Sequence, residues 1–239
     1  MGNPRPIVLL TRPLAGSERF ATALRARFGD RIEVAIYPLQ RIEWIDLQEL
    51  TIEPMALIFT SQNGVLGWNR EEKRPHCDAY CVGPQTAALA RECGLNAIDC
   101  GGDAKAVIET LLANRPVGPV VHYRGEHGIG NIAESLNQAG IETVERVCYR
   151  QTIETPDDDF ATLFEAEQSV IAPLFSPRSV SLFQDALPDP ADPWLAVISA
   201  NAGERVDAKR QQKMIVAKAP NASAMLDAVK DILDRLRAP

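Results

Sequence analysis

Several signals of location and partner are scarce in this 239-residue chain. No apolar run approaches the roughly 18 to 20 residues that a membrane-spanning helix needs. The opening residues Met1 to Arg5 are not followed by the apolar region of a secretory signal. The formal net charge of −7 leaves no basic excess to displace counterions from phosphates. We therefore expect a cytoplasmic protein that has neither a membrane nor a nucleic acid as its partner.

Cysteine and histidine are few, and their spacing does not match that of known redox or metal sites. The cysteines form an odd set without a CxxC pair: Cys77, Cys81, Cys93, Cys100 and Cys148. A chain of this length with 46% hydrophobic residues can bury a core without disulfides, so reduced structural thiols are expected. The three histidines show no HxxxH, HExxH or Cys/His ligand spacing, and no metal site is expected.

Sequence signatures of common cofactor sites and nucleophiles are missing as well. The glycine-containing stretch "YRGEHGIGN" has neither GxGxxG nor GxxxxGK[ST]. The stretch "FSPRS" lacks the GxSxG elbow of a serine hydrolase. These absences disfavour dinucleotide enzymes, P-loop enzymes and serine hydrolases, and we expect no cofactor.

The sequence does contain a regular alternation of strand-like and helix-like segments, which is typical of parallel α/β architecture. Apolar side chains recur on one helical face over Ser17–Phe28 and Ala222–Leu236. The acidic run Pro156–Asp159 and the segment "LPDPADP" are interpreted as solvated loops. The predicted strands are 7–11, 32–37, 56–60, 79–82, 97–100, 117–123, 143–149, 170–175, 195–199 and 213–217.

A weak internal duplication underlies this alternation. "PIVLLTRP" from Pro6 parallels "PVVHYRGE" from Pro119, so that Arg12 matches Arg124. "FTSQNGV" parallels "FSPRSV", and "CVGPQTA" parallels "VISANAG". Because each half repeats one strand-turn-helix pattern, the sequence predicts two similar α/β lobes.

The segments 37–43 and 149–154 are also alike, and each begins with a tyrosine. If both are extended, they are the strands that leave and re-enter one lobe, and together they form a connecting ladder. Residues 1–37 and 153–239 then make one discontinuous lobe, and residues 41–148 make an inserted lobe. A boundary that the chain crosses twice is a natural hinge, and a ligand site between the lobes is the expected consequence.

Short polar clusters come directly after most of the predicted strands. In open parallel sheets, ligands gather at the carboxyl ends of the strands, where helix N-termini expose unpaired N–H groups to anions. Hydroxyl residues at these places are also ordinary helix N-caps, so capping remains the alternative for each cluster. The clusters are Thr11-Arg12-Pro13, Thr60 to Gly64, Gly83 to Thr86, Arg124-Gly125-Glu126, Ser176 to Ser179 and Ser199 to Gly203.

Five segments spanning nearly the whole chain resemble a known family in their order and content. They are "VLLTRP", "LIFTSQNGV", "CVGPQTAALARECG", "VVHYRGEHGIGNIAESLNQAGIETVERVCYRQT" and "LFSPRSVSLF". In this order they resemble the uroporphyrinogen-III synthase family. The resemblance implies two flavodoxin-like parallel-sheet lobes, joined by a two-stranded linker, with an interdomain cleft.

The resemblance also implies a cofactor-independent lyase of tetrapyrrole (heme) biosynthesis. Such an enzyme cyclises hydroxymethylbilane to uroporphyrinogen III, inverts ring D and releases water. Loss of the terminal hydroxyl gives an azafulvene cation, and attack through the substituted α-carbon of ring D gives a spiro pyrrolenine that fragments and recloses. Since the substrate supplies the electron push, the enzyme chiefly has to orient it. No conspicuous apolar segment calls for a protein partner, so a monomer is expected.

The family pattern assigns roles to particular residues of this chain. Tyr149 is the candidate general acid, because a phenol with a reference pKa of about 10 is protonated at neutral pH. The alternative, that Tyr149 only packs at the hinge, stays open. Arg12, Arg124 and Arg178 would add charge for the acetate and propionate arms. The residues implied to hold these arms through hydroxyls and backbone amides are Thr60, Ser61, Asn63, Gly83, Thr86, Ser176, Ser179 and Ser199.

The chain departs from the family pattern in "ISANAGERV". The family more often has a Gly-x-x-Thr-Ala turn there, like that from Gly83 to Ala87, and Ala202 stands where the threonine would be. One hydroxyl is therefore missing, or Ser199 or Asn201 replaces it. A second function also fits two α/β lobes, namely a noncatalytic cytosolic protein that binds a small anion.

Overall fold

The computed structural model describes residues 4–127, 131–165 and 167–237, and within them the chain forms two compact units. The terminal unit contains residues 1–41 and 153–239, and the inserted unit contains residues 42–152. The strands, in chain order, are β1 (Ile7–Leu10), β2 (Glu33–Ile36), β3 (Gln40–Trp44), β4 (Ala56–Phe59), β5 (Asp78–Cys81), β6 (Ala97–Asp99), β7 (Val120–Gly125), β8 (Thr143–Ile153), β9 (Val170–Leu174), β10 (Trp194–Val197) and β11 (Met214–Val216).

Helices connect most of these strands. In chain order they are α1 (Leu14–Phe28), α2 (Gln62–Asn69), α3 (Pro84–Glu92), α4 (Ala104–Asn114), α5 (Ile132–Gln138), α6 (Asp158–Thr162), α7 (Pro177–Ala186), α8 (Ala200–Gly203) and α9 (Ala222–Arg235). Short 3₁₀ turns cover Gly29–Arg31 and Ala208–Lys213. No helix among the described residues combines the length and the apolar content needed to span a membrane.

The sheet of the terminal unit has the strand order β2-β1-β9-β10-β11, and every pair in it is parallel. Its central strands are buried on both faces, which explains why β1 is a continuous apolar run rather than an alternating one. Leu10 packs with α1 and α9 on one face, and Leu9 packs with Val180 and Phe183 of α7 on the other. This order is the flavodoxin-like arrangement that the family resemblance implies.

The sheet of the inserted unit has the order β3-β8-β7-β4-β5-β6, with parallel pairs from β8 to β6. Its largest core side chains are Phe59, Trp68 and Tyr123, all fully buried. The Phe59 ring contacts the other two, with centroids 6.3 Å from Trp68 and 5.8 Å from Tyr123. This cluster fixes α2 against the sheet, and α2 begins at the polar cluster after β4.

The predicted duplication is confirmed at the level of topology. The order β2-β1-β9-β10-β11 corresponds to β8-β7-β4-β5-β6 when β1 is matched with β7. The segments that resemble each other in sequence then fall on equivalent strands. The two units have the same spatial order of strands, although the chain forms the matched strands in a different sequence in each unit. The predicted α/β class with two mainly parallel sheets is confirmed.

The chain passes between the units twice. The first passage, from Arg41 to Ile42, lies within β3, and the second, from Thr152 to Ile153, lies within β8. These two strands are neighbours in the sheet. Both connections are therefore extended strands rather than loops.

Some element boundaries differ from the predicted ones. Most strands end one or two residues early, because Thr60, Ser176 and Ser199 already belong to the turns that start helices. β7 starts at Val120 instead of Val117, which is 90% exposed. Gly118, with φ of 129°, occupies a backbone conformation outside the strand region.

The interpretation of Pro156–Asp159 as a loop is wrong in part. Asp157 is the N-cap of α6, and its side chain accepts a hydrogen bond from the Phe160 N–H at 3.2 Å. Phe160 is buried, so its apolar side chain ties this short helix to the core. The segment from Leu187 to Pro193 contains neither helix nor strand, as predicted.

Candidate active site

The clearest cluster of predicted site residues surrounds Tyr149, which lies on β8 in the inserted unit. The phenolic Oη is 3.0 Å from Ser61 Oγ, and the Asn63 side chain also hydrogen-bonds the phenol. Ser61 is the N-cap of α2, and Asn63 lies in its first turn. The sequence predicts all three as site residues, and the fold brings them together although Tyr149 is far from the others along the chain.

The hydrogen bonds of Ser61 determine what it can offer to Tyr149. Its Oγ accepts the Gly64 backbone N–H at 3.2 Å, as expected of an N-cap. A serine hydroxyl has one proton to donate besides its acceptor positions. Since Ser61 Oγ already accepts at the helix start, its proton can be directed to the Tyr149 oxygen, which leaves the phenolic proton available to a third group.

Burial is the main influence on the pKa of Tyr149. The residue is 9% exposed, and its ring packs edge-on against Trp44 with centroids 6.3 Å apart. Desolvation raises the pKa of the phenol, while the hydrogen bonds from Ser61 and Asn63 and the charge of Arg124 partly oppose the rise. The net shift is upward, so Tyr149 is a protonated donor at neutral pH.

Thr60 precedes this cluster and contacts a buried histidine. Its Oγ1 is 3.3 Å from His122 Nε2, and His122 is 3% exposed. Burial lowers the pKa of His122 to about 4, although Glu145, with a carboxylate oxygen 3.9 Å from Nδ1, raises it. His122 is therefore neutral at pH 7, and it holds the Thr60 hydroxyl in place without adding a charge.

Arg124 is paired with an acid. Its guanidinium nitrogen lies 2.5 Å from a Glu145 carboxylate oxygen, and the Arg124 side chain is only 16% exposed. Glu145 stands opposite His122 in the β7–β8 register, but its hydrogen bond goes to Arg124, and His122 Nδ1 has no hydrogen-bond partner in the part of the chain that the structure describes. The positive charge of Arg124 is largely compensated within the unit.

Gly83 and Thr86 lie at the start of α3. Gly83 is the N-cap residue with extended backbone, Pro84 comes next at the first helical position, and Thr86 is 6% exposed in the first turn. A Cβ built on Gly83 would meet no atom within 4 Å. The space in front of this helix start is thus open, as an approach of a ligand to the backbone requires.

In the terminal unit, Arg12 lies between β1 and α1. Its guanidinium carbon stands 4.0 Å from the centre of the Phe175 ring, directly after β9. Among the described residues, no carboxylate forms an ion pair with Arg12. Burial, with a smaller contribution from Arg19, lowers the pKa of Arg12 to about 10, so it is still a cation at neutral pH. Arg12 is a half-buried positive charge stacked on an aromatic ring.

The remaining predicted residues of the terminal unit are at two helix starts. Ser176 and Ser179 form a capping box at α7: Ser176 Oγ accepts the Ser179 N–H at 3.0 Å, and Ser179 Oγ accepts the Ser176 N–H at 2.9 Å. Arg178 lies in the first turn of α7. Ser199 is the N-cap of α8 and accepts the Ala202 N–H at 3.3 Å. Ala202, which stands where the family more often has threonine, is fully buried.

The serines of these clusters cap helices, and their part in binding a ligand stays a prediction. Three of the predicted residues meet at one point, around the Tyr149 phenol, and Thr60 is next to them. Sequence reasoning missed His122, Glu145 and Phe175. His122 precedes Arg124 by two residues on one strand, which places both on the same face. Glu145 and Phe175 could be identified only once the strand order was known.

A metal site is not suggested by the described part of the chain, since no group of three His, Cys, Asp or Glu is placed to hold an ion there. The cysteines all have free thiols. Burial raises the pKa of Cys81 and Cys148 to about 12, so these two are neutral at physiological pH.

The model of the uroporphyrinogen-III synthase HemD family matches residues 18–227. The chain belongs to this family. The family consists of cyclising lyases of heme biosynthesis, and its substrate is a small-molecule tetrapyrrole. The predicted family, enzyme class and main function are thus confirmed, and nothing favours the alternative of a noncatalytic anion-binding protein.

Several solved structures resemble this fold, including the following two. Uroporphyrinogen-III synthetase from Helicobacter pylori 26695 is 15% identical, with a TM-score of 0.68 over 96% of this chain and 100% of that chain. A mutant uroporphyrinogen III synthase from the extremely thermophilic bacterium Thermus thermophilus is also 15% identical, with a TM-score of 0.52 over 96% of this chain and 99% of that chain. At this identity the likeness concerns the fold alone. A comparison with curated proteins gave no match.

Proposed function

We propose that this uroporphyrinogen-III synthase HemD family member takes hydroxymethylbilane as its substrate and that Tyr149 is the general acid. The observation that supports this most is the protonated, buried phenol held 3.0 Å from a helix-capping serine. A general acid must carry its proton at the working pH and be fixed in direction. Tyr149 meets both conditions.

Tyr149 donates its proton to the terminal hydroxyl of the bilane, and the C–O bond breaks with its electron pair leaving on water. The remaining chain is an azafulvene cation. As the phenol loses its proton, Ser61 and Asn63 hydrogen-bond the oxygen where negative charge develops, at the positive end of α2. Attack through the substituted α-carbon of ring D, fragmentation of the spiro pyrrolenine and reclosure give uroporphyrinogen III with ring D inverted. Reclosure at the free α-carbon of ring D releases one proton, which balances the proton that Tyr149 gave to the leaving water.

Charge and helix termini hold the carboxylate arms of the substrate. Arg12 is suited to this because it is cationic, has no acid partner among the described residues and is half-buried, with part of its surface still open to solvent. A guanidinium binds a carboxylate through two parallel N–H groups. Helix starts contribute N–H groups in both units: those of α2 and α3, with Thr60, Ser61, Asn63, Gly83 and Thr86, and those of α7 and α8, with Ser176, Arg178, Ser179 and Ser199.

Arg124 has a different role in this proposal. Its charge is taken up by Glu145, so it contributes less to the attraction of the substrate than Arg12 does. It lies close enough to Tyr149 to lower the pKa of the phenol slightly. In this proposal Arg124 lowers the pKa of Tyr149 and forms an ion pair with Glu145, rather than binding the substrate directly.

The remaining parts of the proposal concern organisation. The segments 37–43 and 149–154 form the connecting ladder, and in support of this both chain passages lie within extended strands, β3 and β8. We place the enzyme in the cytoplasm as a monomer. Light scattering during size-exclusion chromatography tests the oligomeric state, where a mass near 26.2 kDa is expected and twice that mass contradicts it.

The experiment that tests the function supplies hydroxymethylbilane, generated enzymatically in the same tube, to the purified chain. The products are oxidised and the type I and type III uroporphyrins are separated chromatographically. Type III product is expected. Product of type I alone, together with measurable binding of the bilane, would mean that the chain binds the substrate without turning it over.

A further inference from the structure

Gly125, the last residue of β7, faces the Tyr149 ring so closely that a side chain at position 125 would force the ring to shift. A Cβ built on Gly125 would lie 2.7 Å from both Cε2 and Cζ of Tyr149 and 3.0 Å from its Oη. The backbone of Gly125 is not in the left-handed region, so glycine is required there by space rather than by conformation. The phenol ring occupies the volume that a side chain would fill.

The strand pairing changes at the same point. Arg124 is paired with Val147, but Gly125 is paired with Tyr149, so Cys148 is the extra residue of a β-bulge. The Glu126 N–H donates to the Tyr149 carbonyl at 2.9 Å and closes the bulge on its far side. Bulges re-aim side chains and occur next to active sites. Here the bulge turns the Tyr149 ring over Gly125.

Two glycines of α2 make similarly close approaches to β7 and β8. A Cβ at Gly64 would lie 2.6 Å from the Tyr123 carbonyl oxygen, and one at Gly67 would overlap the Cys148 side chain. The absence of both side chains lets α2 lie directly on β7 and β8. This contact sets the position of Ser61, the N-cap of α2, relative to the phenol.

We propose that Gly125 is a positioning residue, which seats the Tyr149 ring so that its hydroxyl meets Ser61. The inference rests on the proposed function for its catalytic consequence, because it concerns the geometry of the same acid. A methyl group at position 125 displaces the ring, and Trp44 packs against the ring and limits where it can go. The Tyr149–Ser61 hydrogen bond is then lost or lengthened.

The test uses the full chain with Gly125→Ala, alone and combined with Tyr149→Phe. Tyrosine rings are labelled with ¹³C, and the Tyr149 signal is assigned from its loss in Tyr149→Phe. We expect Gly125→Ala to shift the Tyr149 signal and to lower kcat between roughly tenfold and a hundredfold, as a displacement near 1 Å does. In the Tyr149→Phe background, Gly125→Ala should lower kcat much less, because its effect operates through the phenolic hydroxyl.

The matched control is Gly140→Ala, in the turn after α5 of the same unit. A Cβ there would meet no atom within 4 Å, and the left-handed backbone (φ of 80°) makes the change costly to stability only, so neither the Tyr149 signal nor kcat should change. If Gly125→Ala alone does not fold, Gly125→Ala with Tyr149→Leu removes the clashing ring atoms and should fold. A double variant that still fails to fold would overturn the inference.

The remaining outcomes separate this inference from the assignment of the acid. A folded Gly125→Ala variant with an unmoved Tyr149 signal contradicts the positioning role. Equal kcat losses from Gly125→Ala with and without the phenol also contradict it. A shifted signal in Gly125→Ala, combined with an unchanged rate in Tyr149→Phe, supports the seating of the ring and rejects Tyr149 as the acid.

Discussion

The terminal and inserted units share one strand arrangement but differ in the side chains at the ends of the matched strands. Arg12 after β1 stacks on Phe175 without an ion-pair partner among the described residues, whereas Arg124 at the end of β7 is paired with Glu145. Tyr37, just after β2, packs on Phe160, while its counterpart on β8 is the phenol of the candidate site. The same scaffold thus offers an uncompensated cation in one unit and a fixed proton donor in the other.

The helix starts after β4 and β9, in contrast, are alike, whereas the matched starts after β5 and β10 have Gly83 and Ser199 as their N-caps. Ser61, Ser176 and Ser199 are N-caps whose Oγ accepts the N–H three residues later. Capping and anion binding use the same feature, the unpaired N–H groups of a helix start. The comparison suggests that the duplicated scaffold keeps its helix starts as a common means of holding carboxylates, whereas acid and charge are specific to one unit each.

The largest effect is expected when the two matched tyrosines, Tyr149 and Tyr37, are each replaced by phenylalanine. Tyr149→Phe should lower kcat for type III formation by about 10²- to 10³-fold, since general acid catalysis contributes on that scale. Tyr37→Phe, the matched change in the terminal unit, should alter kcat by less than about twofold because Tyr37 contacts Phe160 rather than Ser61. Initial rates at saturating bilane give kcat for both variants. An unchanged rate for Tyr149→Phe would show that the Tyr149 hydroxyl is not the general acid.

The next effect concerns His122, where the equivalent residue of the terminal unit, Leu9, is apolar. The pKa of His122 is about 4 in the folded chain, below its ordinary 6.5, so the unfolded chain takes up this proton first as the pH falls. Above pH 6.5 the imidazole is neutral in both states and burying it carries no protonation penalty. Between pH 6.5 and pH 4 the unfolded chain binds the proton and the folded chain does not, so the free energy of unfolding falls. We expect a decrease of about 2 kcal/mol between pH 7 and pH 5.

Urea unfolding of the full chain at the two pH values measures this decrease, and His122→Gln provides the control. The glutamine amide can still bond Thr60 but does not titrate, so the pH dependence should be smaller in the variant by the same amount. An identical pH dependence in both proteins would show that His122 does not contribute.

A smaller effect distinguishes the two arginines. Arg12→Gln should raise KM for the bilane about tenfold, which corresponds to roughly 1.4 kcal/mol, a typical value for a charge-assisted hydrogen bond. Arg124→Gln should raise KM by less than about threefold, because Glu145 already compensates that charge. Steady-state kinetics at one salt concentration compare the two, and equal increases in KM would contradict the division of charge between the units.

The smallest effect compares the helix caps. Ser61→Ala and Ser176→Ala should each lower the free energy of unfolding by about 1 kcal/mol, the usual contribution of an N-cap. Only Ser61→Ala should also raise the pKa of Tyr149, because the hydrogen bond from Ser61 lowers it in the wild type. Spectrophotometric titration of the tyrosines measures this, and an unchanged Tyr149 titration would mean that the two hydroxyls do not interact in solution.

The sequence predicted the features that depend on local patterns. Apolar runs gave the strands, the repeated segments gave two similar units, and hydroxyls after strands marked helix starts such as that at Ser61. Asp157 as a cap was missed because its acidic run favours a solvated loop, and only the burial of Phe160 turns it into a helix start.

Features that depend on pairing between distant strands could not be predicted. The partner of Arg124 is set by the β7–β8 register, which puts Glu145 opposite His122. The stacking of Arg12 on Phe175 results from β1 and β9 being neighbours. The approach of Gly125 to Tyr149 depends on a bulge of one residue, for which the sequence carries no period or motif.

The central claim is that orientation of the bilane, rather than a reactive side chain, selects the isomer, while Tyr149 sets the rate. The isomer composition made by Tyr149→Phe, present in excess so that all bilane is bound, tests this most directly. The account predicts slow formation of product that is still mainly type III. Product that is entirely type I under these conditions would contradict it.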